Sequence, residues 1–251
     1  MTIRCSTEQA IATLAFSRPE KKNAITAAMY QAAAEALAEA DASDAVRVII
    51  LTGDGDAFTA GNDLDDFLRN PPQGDDTPVS RFMHTLLATS TPVIAAVPGI
   101  AVGIGTTLLM HCDLVYASAR AKFAMPFTQL GLCPEFASSV LLPRLAGYQR
   151  AAEKLLLGEA FDAAEAERMG LVNRVLPAEE LMSFVHTQAN KLVALPKESL
   201  RMTKQLMRAD VQTAISSAMQ TEMHHFSQML NGADAKEAFS AFLEKRKPVF
   251  R

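Results

Sequence analysis

Residues 93–112 read VIAAVPGIAVGIGTTLLMHC, a run without Asp, Glu, Lys or Arg. Its length is that of a membrane span, but Pro98, Gly99, Gly103 and Gly105 interrupt it, and a Pro-Gly pair is a turn signal that no straight helix carries. No second apolar span and no flanking basic cluster supports insertion. The run therefore reads as a buried strand from Val93 to Val97, a glycine-rich turn, and a buried helix reaching about His111. Uncharged strands of this kind are covered on both faces, which is the mark of an α/β core.

On either side of this run the same alternation repeats. Ile11 to Phe16 reads as a strand, and after the polar turn Arg18-Pro19-Glu20-Lys21-Lys22-Asn23, Thr26 is placed to cap a helix to about Ala40. Met29, Ala33, Leu37 and Ala40 fall on one face of that helix. Val46 to Leu51 is too apolar to be half exposed and reads as a central strand; Leu114 to Tyr116 is another. Residues 70–78, rich in proline and aspartate, read as a mobile loop.

The second half turns helical. Gln149 to Leu157 closes at Gly158; Asp162 with Glu165 resembles a capping box and opens a short helix that ends at Gly170. Leu171 to Leu176 reads as a strand, and a helix from Ala178 to near Leu195 is stopped by Pro196. Further helices run to Met229 and from Ala235 to about Lys245. The expectation is an α/β core over residues 1–195 and a C-terminal helical region over 196–251.

The chain of 251 residues carries 24 Lys plus Arg against 28 Asp plus Glu, a formal net charge of −4. That excludes a general binder of nucleic acid or anionic membrane. Cys5, Cys112 and Cys133 form no CxxC pair, so no disulfide framework or structural metal site is expected. With no apolar leader-like stretch in Met1 to Glu8, a soluble cytoplasmic protein is the expectation.

Two glycine-bearing turns follow strands, Gly61-Asn62 and Gly103-Ile104-Gly105. Each lets the next backbone N–H point at an oxygen, and two such donors make an oxyanion hole; tight turns without a ligand are the other reading of the pattern. Gly103-Ile104-Gly105 lacks the third glycine of a dinucleotide fingerprint. Most carboxylates fall on helix faces, but Glu135 is alone in the apolar loop Leu130 to Ala137. Buried there, it would gain the raised pKa that a base working near neutrality needs. His111 reads as a packed core residue and Cys133 as packing. His224 and His225 are adjacent, so they face apart on a helix and cannot share a metal as an i, i+4 pair does.

At these residues the chain resembles the crotonase superfamily of enoyl-CoA hydratases and isomerases. The matching pieces are Arg18 to Ala24, Phe58 to Leu64, Val97 to Gly103, Cys112 to Ala117 and Ala166 to Leu176, in the family's order and spacing. The resemblance implies a crotonase-like ββα spiral core with a C-terminal helical trimerisation region, a homotrimer or dimer of trimers, and an acyl-CoA substrate with no separate cofactor. It places the oxyanion hole at the backbone N–H groups of Asn62 and Ile104. It places coenzyme A against Lys21, Lys22, Ala24, Ala60, Asp63 and Leu64. Basic patches at Arg18, Lys21 and Lys22, and at Lys245, Arg246, Lys247 and Arg251, are expected to face its phosphates. Phe67, Phe82, Met83 and Leu86 are the expected tail pocket.

Hydratases of this family carry two glutamates, at positions that are Thr107 and Phe127 here. Neither moves a proton as a carboxylate does. Met125 to Glu135, ending in Pro134-Glu135, instead resembles the peroxisomal-type Δ3,Δ2-enoyl-CoA isomerases, in which the glutamate after proline is the base; Phe136 stands where the family often has glycine. The resemblance thus implies an isomerase with Glu135 as its proton carrier. Other crotonase reactions, hydration or thioester hydrolysis, and a non-catalytic acyl-CoA binder are the alternatives, because fold does not fix reaction.

Overall fold

The computed structural model describes residues 3–69 and 76–250. β1 (Ile3–Glu8) and β2 (Ile11–Phe16) form an antiparallel hairpin at one edge of the large sheet. β1 is largely exposed. α1 (Ala27–Ala42) begins where the Thr26 side chain accepts the Met29 N–H, and it buries Met29, Ala33, Leu37 and Ala40 as their spacing predicts.

A three-element unit then repeats. β3 (Val48–Gly53) enters the large sheet, β4 (Ala57–Thr59) the small one, and α2 (Leu64–Arg69) and α3 (Pro78–Ala88) follow. β5 (Val93–Val97) and β6 (Ile100–Val102) repeat the step and lead to α4 (Ile104–Thr107), which continues as a 3₁₀ turn to His111. β7 (Leu114–Ser118) and β8 (Lys122–Ala124) do so again, before α5 (Ser138–Ala146) and α6 (Tyr148–Ala152). β9 (Phe161–Asp162) closes the small sheet, α7 (Ala163–Arg168) is capped by Asp162, and β10 (Arg174–Leu176) closes the large sheet. α8 (Leu181–Val193), α9 (Lys197–Arg208), α10 (Gln212–Leu230) and α11 (Ala233–Leu243) complete the chain.

The large sheet has the order β1-β2-β3-β5-β7-β10 and the small one β4-β6-β8-β9. Each unit therefore advances one place in both sheets, which makes a ββα spiral. From β2 onward the large sheet is parallel, and both its faces are covered. Val48, Ile50, Ile94 and Ala96 pack with Leu181, Val185 and Ala189 of α8, while Ile49, Leu51, Val93, Ala95 and Val97 face the main core. Ile50 pairs with Ile94 in register, and each such fully buried aliphatic contributes about 1.5–3 kcal/mol. Truncating Ile94 to alanine would open a cavity at a cost of about 2–5 kcal/mol.

The run at 93–112 is thus β5, a Pro-Gly turn, β6 and helix; among the described residues no helix is long and apolar enough to cross a membrane. β6 and β8 were not expected, being three residues each and too short to show alternation. The expected strand at Leu171 begins only at Arg174, because the Leu171 and Val172 N–H groups turn back to the Ala166 carbonyl beyond the left-handed Gly170. Of the expected mobile loop, Asn70 to Asp75 lie outside the described residues; Thr77 caps α3. α9 is bonded into the core: Lys204 Nζ donates to the Thr91 carbonyl at 2.9 Å and pairs with Asp113 at 2.7 Å.

Candidate active site

The parallel pairing of β4 with β6 sets the two glycine turns side by side. A side chain built on Gly61 would meet the Val102 carbonyl oxygen at 2.7 Å, so only glycine permits this approach, and its φ of 87° is itself left-handed. Gly103 takes φ 56° and ψ −121°, a conformation that favours glycine for its backbone alone. The next residue of each turn, Asn62 and Ile104, lines one cleft. Neither backbone N–H has a backbone partner among the described residues, so both are available as donors to a ligand oxygen.

The segment before α1 is knitted to the first turn. Asn23 is fully buried and left-handed, and its Nδ2 donates to the carbonyls of Asp54 and Ala57 at 2.9 and 2.8 Å. The Ala60 N–H bonds the Lys22 carbonyl at 2.9 Å and the Ile25 N–H bonds the Gly61 carbonyl at 2.8 Å. Lys21, Ala24, Ala60, Asp63 and Leu64 thereby line the same cleft as Asn62 and Ile104. The cleft measures about 930 Å³ and also takes in Glu135 and, from the C-terminal end, Phe239, Phe242, Arg246, Lys247 and Phe250.

Glu135 is buried, and no donor of the described residues reaches its carboxylate. Burial first, and the nearby Glu222 second, push its pKa up to about 8. The two residues after it, Phe136 and Ala137, have φ of 57° and 56°, so phenylalanine occupies a left-handed position where the family often has glycine. His111 holds it there: the rings stack with centroids 3.7 Å apart, and Nε2 lies 2.8 Å from the Phe136 carbonyl. Burial lowers the His111 pKa to about 4, so the ring is neutral, with its proton on Nε2 for that bond.

A second cavity of about 50 Å³ adjoins the first at Asn62, Glu135 and Phe226. Val79, Met83, Phe136, Met219 and Met223 give it an apolar wall. Glu135 and the Asn62 turn thus stand at the junction of a large cleft and a small apolar chamber.

The expected site residues come together with one exception. Lys22 does not line the cleft, because its ammonium pairs with Asp56 at 2.9 Å. Arg18 is likewise committed to Asp63 and Arg246 to Glu237 and Glu244; of the two basic patches, Lys21 and Lys247 line the cleft without an ion pair among the described residues, and Arg251 lies outside those residues. Of the expected tail pocket only Met83 lines the small chamber; Phe82 and Leu86 are fully buried in the core, and the Phe67 side chain lies outside the described set. His111 is the packed core histidine expected. Cys133 is half buried, its Sγ 3.6 Å from the Glu222 carbonyl, and burial pushes its pKa up to about 11, so it is no thiolate. The described residues contain no cluster of three or more His, Cys, Asp and Glu that could hold a metal.

Sequence reasoning missed Tyr30, Glu222, Met219, Met223 and Phe226. Each sits on a helix in a pattern that reads only as an amphipathic face, and no local motif marks any of them.

Residues 6–251 match the family described as enoyl-CoA hydratase/isomerase. An Escherichia coli protein named 1,2-epoxyphenylacetyl-CoA isomerase is 35% identical over 97% of this chain and 95% of its own. A Mycobacterium bovis protein named probable enoyl-CoA hydratase echA8 is 33% identical, covering 99% and 97%. Enoyl-CoA delta isomerase 2 of Rattus norvegicus is 37% identical over 88% of this chain and 58% of its own. Among solved structures, an enoyl-CoA hydratase/isomerase from Pseudoalteromonas atlantica superposes with a TM-score of 0.96 at 39% identity, covering 100% of both chains.

Proposed function

The chain belongs to the enoyl-CoA hydratase/isomerase family, the crotonase superfamily, and from that premise we propose that it is an enoyl-CoA isomerase that moves a C3–C4 double bond to C2–C3. The observation that carries this reading is Glu135, a buried carboxylate at the junction of the chamber with the cleft that Asn62 and Ile104 also line. Thr107 and Phe127, at the positions of the hydratase glutamates, are both buried and offer no carboxylate. Glu222, the other acid among the described residues of the chamber, already accepts two backbone N–H bonds.

The chemistry balances with one carboxylate. Glu135 in its anionic form takes a proton from C2, and the electron pair moves into a dienolate whose charge sits on the thioester oxygen. The Asn62 and Ile104 N–H groups stabilise that oxygen; loss of one such donor typically costs about 2.7–4 kcal/mol. The protonated Glu135 then returns the proton at C4, and the double bond comes to rest at C2–C3. No electrons leave the substrate, so the reaction takes no cofactor, coenzyme A being part of the substrate. The coenzyme A would run along Lys21, Ala24, Ala60, Asp63, Leu64 and Lys247, with the acyl chain in the small chamber.

Glu135→Gln tests the reading. With a 3-enoyl-CoA, the folded variant should lose at least about a hundredfold in turnover while still binding coenzyme A. Unchanged turnover would overturn it. Hydration of a 2-enoyl-CoA, or release of free coenzyme A, as the main wild-type reaction would assign one of the other family chemistries, and binding without turnover a binder.

The same reading includes a cytoplasmic homotrimer or dimer of trimers. Exposed Met202, Leu206 and Met207 on α9, and Tyr148, Leu156 and Leu157 near α6, are the apolar surface that such an assembly covers. Sedimentation equilibrium should give three or six 27.1 kDa chains, and a monomer at assay concentration would contradict it.

A further inference from the structure

Glu222 reaches the Glu135 loop from α10, a helix far away in sequence. Its Oε2 accepts the Ala137 N–H at 2.6 Å and its Oε1 the Ser139 N–H at 3.0 Å. These are amides at the start of α5, whose N-cap residue, Ala137, has no side chain that can satisfy them. Glu222 thus does for α5 what Asp162 does for α7 from within its own segment.

The turn it holds is strained. Phe136 and Ala137 are consecutive non-glycine residues in the left-handed region, a conformation that persists only where its surroundings over-determine it. His111 grips Phe136 through its ring and carbonyl, and Glu222 grips the amides of Ala137 and Ser139. Glu135 precedes this clamp directly, and it lines the small chamber together with Glu222.

We infer that Glu222 is a positioning residue for Glu135: its carboxylate clamps the turn that carries Glu135 and supplies a fixed like charge beside it in the same buried chamber. This rests on Glu135 being the base proposed above.

Few groups of the described residues face Glu135. Tyr30 of α1 is buried and its phenol is raised well above its usual pKa by burial and then by Glu135, so it is neutral. Cys133 and His111 are neutral as described, and Arg208 is committed to the His111 carbonyl and Asp113. Among the described residues Glu222 is therefore the group whose charge acts on Glu135. Burial leaves the Glu222 pKa raised as well, although its hydrogen bonds from Ser139 and Ala137 work to lower it. Among the described residues two N–H donors reach Glu222 and none reaches Glu135, so the negative charge rests on Glu222 and the proton on Glu135.

The test reads the Glu135 carboxyl without turnover, by infrared difference titration of its protonated C=O band, assigned by the band's loss in Glu135→Gln. The wild-type midpoint should lie near 8, and in Glu222→Gln it should fall by about one pH unit. An unmoved midpoint overturns the inference. Glu222→Asp keeps the charge and shortens the reach, and it serves as well if the glutamine variant does not fold. It should hold the midpoint while hydrogen-exchange protection of the Ala137 and Ser139 amides falls at least about tenfold; unchanged protection overturns the clamp. Absence of isomerase activity in the wild type would count against the proposed reaction alone, since the band shift is independent of it.

Discussion

The Tyr30 hydroxyl donates to Asn62 Oδ1 at 2.5 Å, joining the buried face of α1 to the turn whose amide faces the cleft. Asn62 is thus held from behind by a side chain on an element formed by a quite different stretch of sequence. Tyr30→Phe removes the donor and leaves Oδ1 unpaired, which should cost about 1–2 kcal/mol of stability. If the bond also aims the Asn62 amide, kcat with a 3-enoyl-CoA should fall about three- to tenfold with KM little changed, because the amide bonds the developing oxyanion more strongly than the ground-state oxygen. Thermal melts and steady-state kinetics on one preparation check both, and an unaltered kcat would show that the turn is aimed without Tyr30.

Gly103→Ala separates backbone conformation from crowding. A Cβ there would meet nothing within 4 Å, yet φ 56° with ψ −121° disfavours any side chain. The expected cost is about 1–3 kcal/mol, with a large loss in kcat as the Ile104 amide shifts and with coenzyme A binding retained. Gly61→Ala adds a clash with the Val102 carbonyl at 2.7 Å and should be the more damaging of the two in a denaturant titration.

Glu135 should set both activity and stability against pH. Its folded pKa of about 8 lies above the ordinary 4.5, so its contribution to stability is fully present below 4.5 and is lost as pH rises through 8. Glutamine does not titrate, so Glu135→Gln should gain on the wild type across that window, by about 1.4 kcal/mol per pH unit at most. Urea titrations at about pH 5 and about pH 9 measure the widening gap. In the wild type kcat/KM should rise with pH through about 8, as the anionic base becomes populated in the free enzyme.

Much of this is legible in the sequence. Thr26, Asp162, Gly158 and Gly170 marked helix ends by local chemistry, and the β-branched run at Val46 to Leu51 announced a strand covered on both faces. Gly61, Gly103 and Glu135 were visible because each breaks the character of its surroundings. Tyr30 and Glu222 were not, since a tyrosine and a glutamate on helices acquire meaning only through a tertiary contact. Lys22 read as a ligand-facing lysine because its partner Asp56 lies on a different turn, and ion pairing between distant turns leaves no local signal. The tail pocket was misplaced onto Phe82 and Leu86 for a similar reason: α3 shows its apolar face in sequence but not which part of it lies in the core and which lines the chamber.

The lysines differ in what they should do. Lys21→Ala and Lys247→Ala should each raise KM about three- to tenfold, more at low salt than at high, and leave kcat little changed. Lys22→Ala, which removes an exposed pair with Asp56, should change KM by less than about twofold. Steady-state kinetics across an ionic-strength series distinguishes them, and equal effects from all three would mean that the phosphates lie over the turn at Lys22 as well.

The most direct measurement follows one atom. A 3-enoyl-CoA deuterated at C2 is converted by the wild-type enzyme in ordinary water, and the product is read by NMR at early times. The single-carboxylate shuttle predicts a 2-enoyl-CoA that carries deuterium at C4, delivered there by Glu135, and no such product from Glu135→Gln. A product whose C4 hydrogen comes wholly from water, or a 3-hydroxyacyl-CoA in its place, would contradict it.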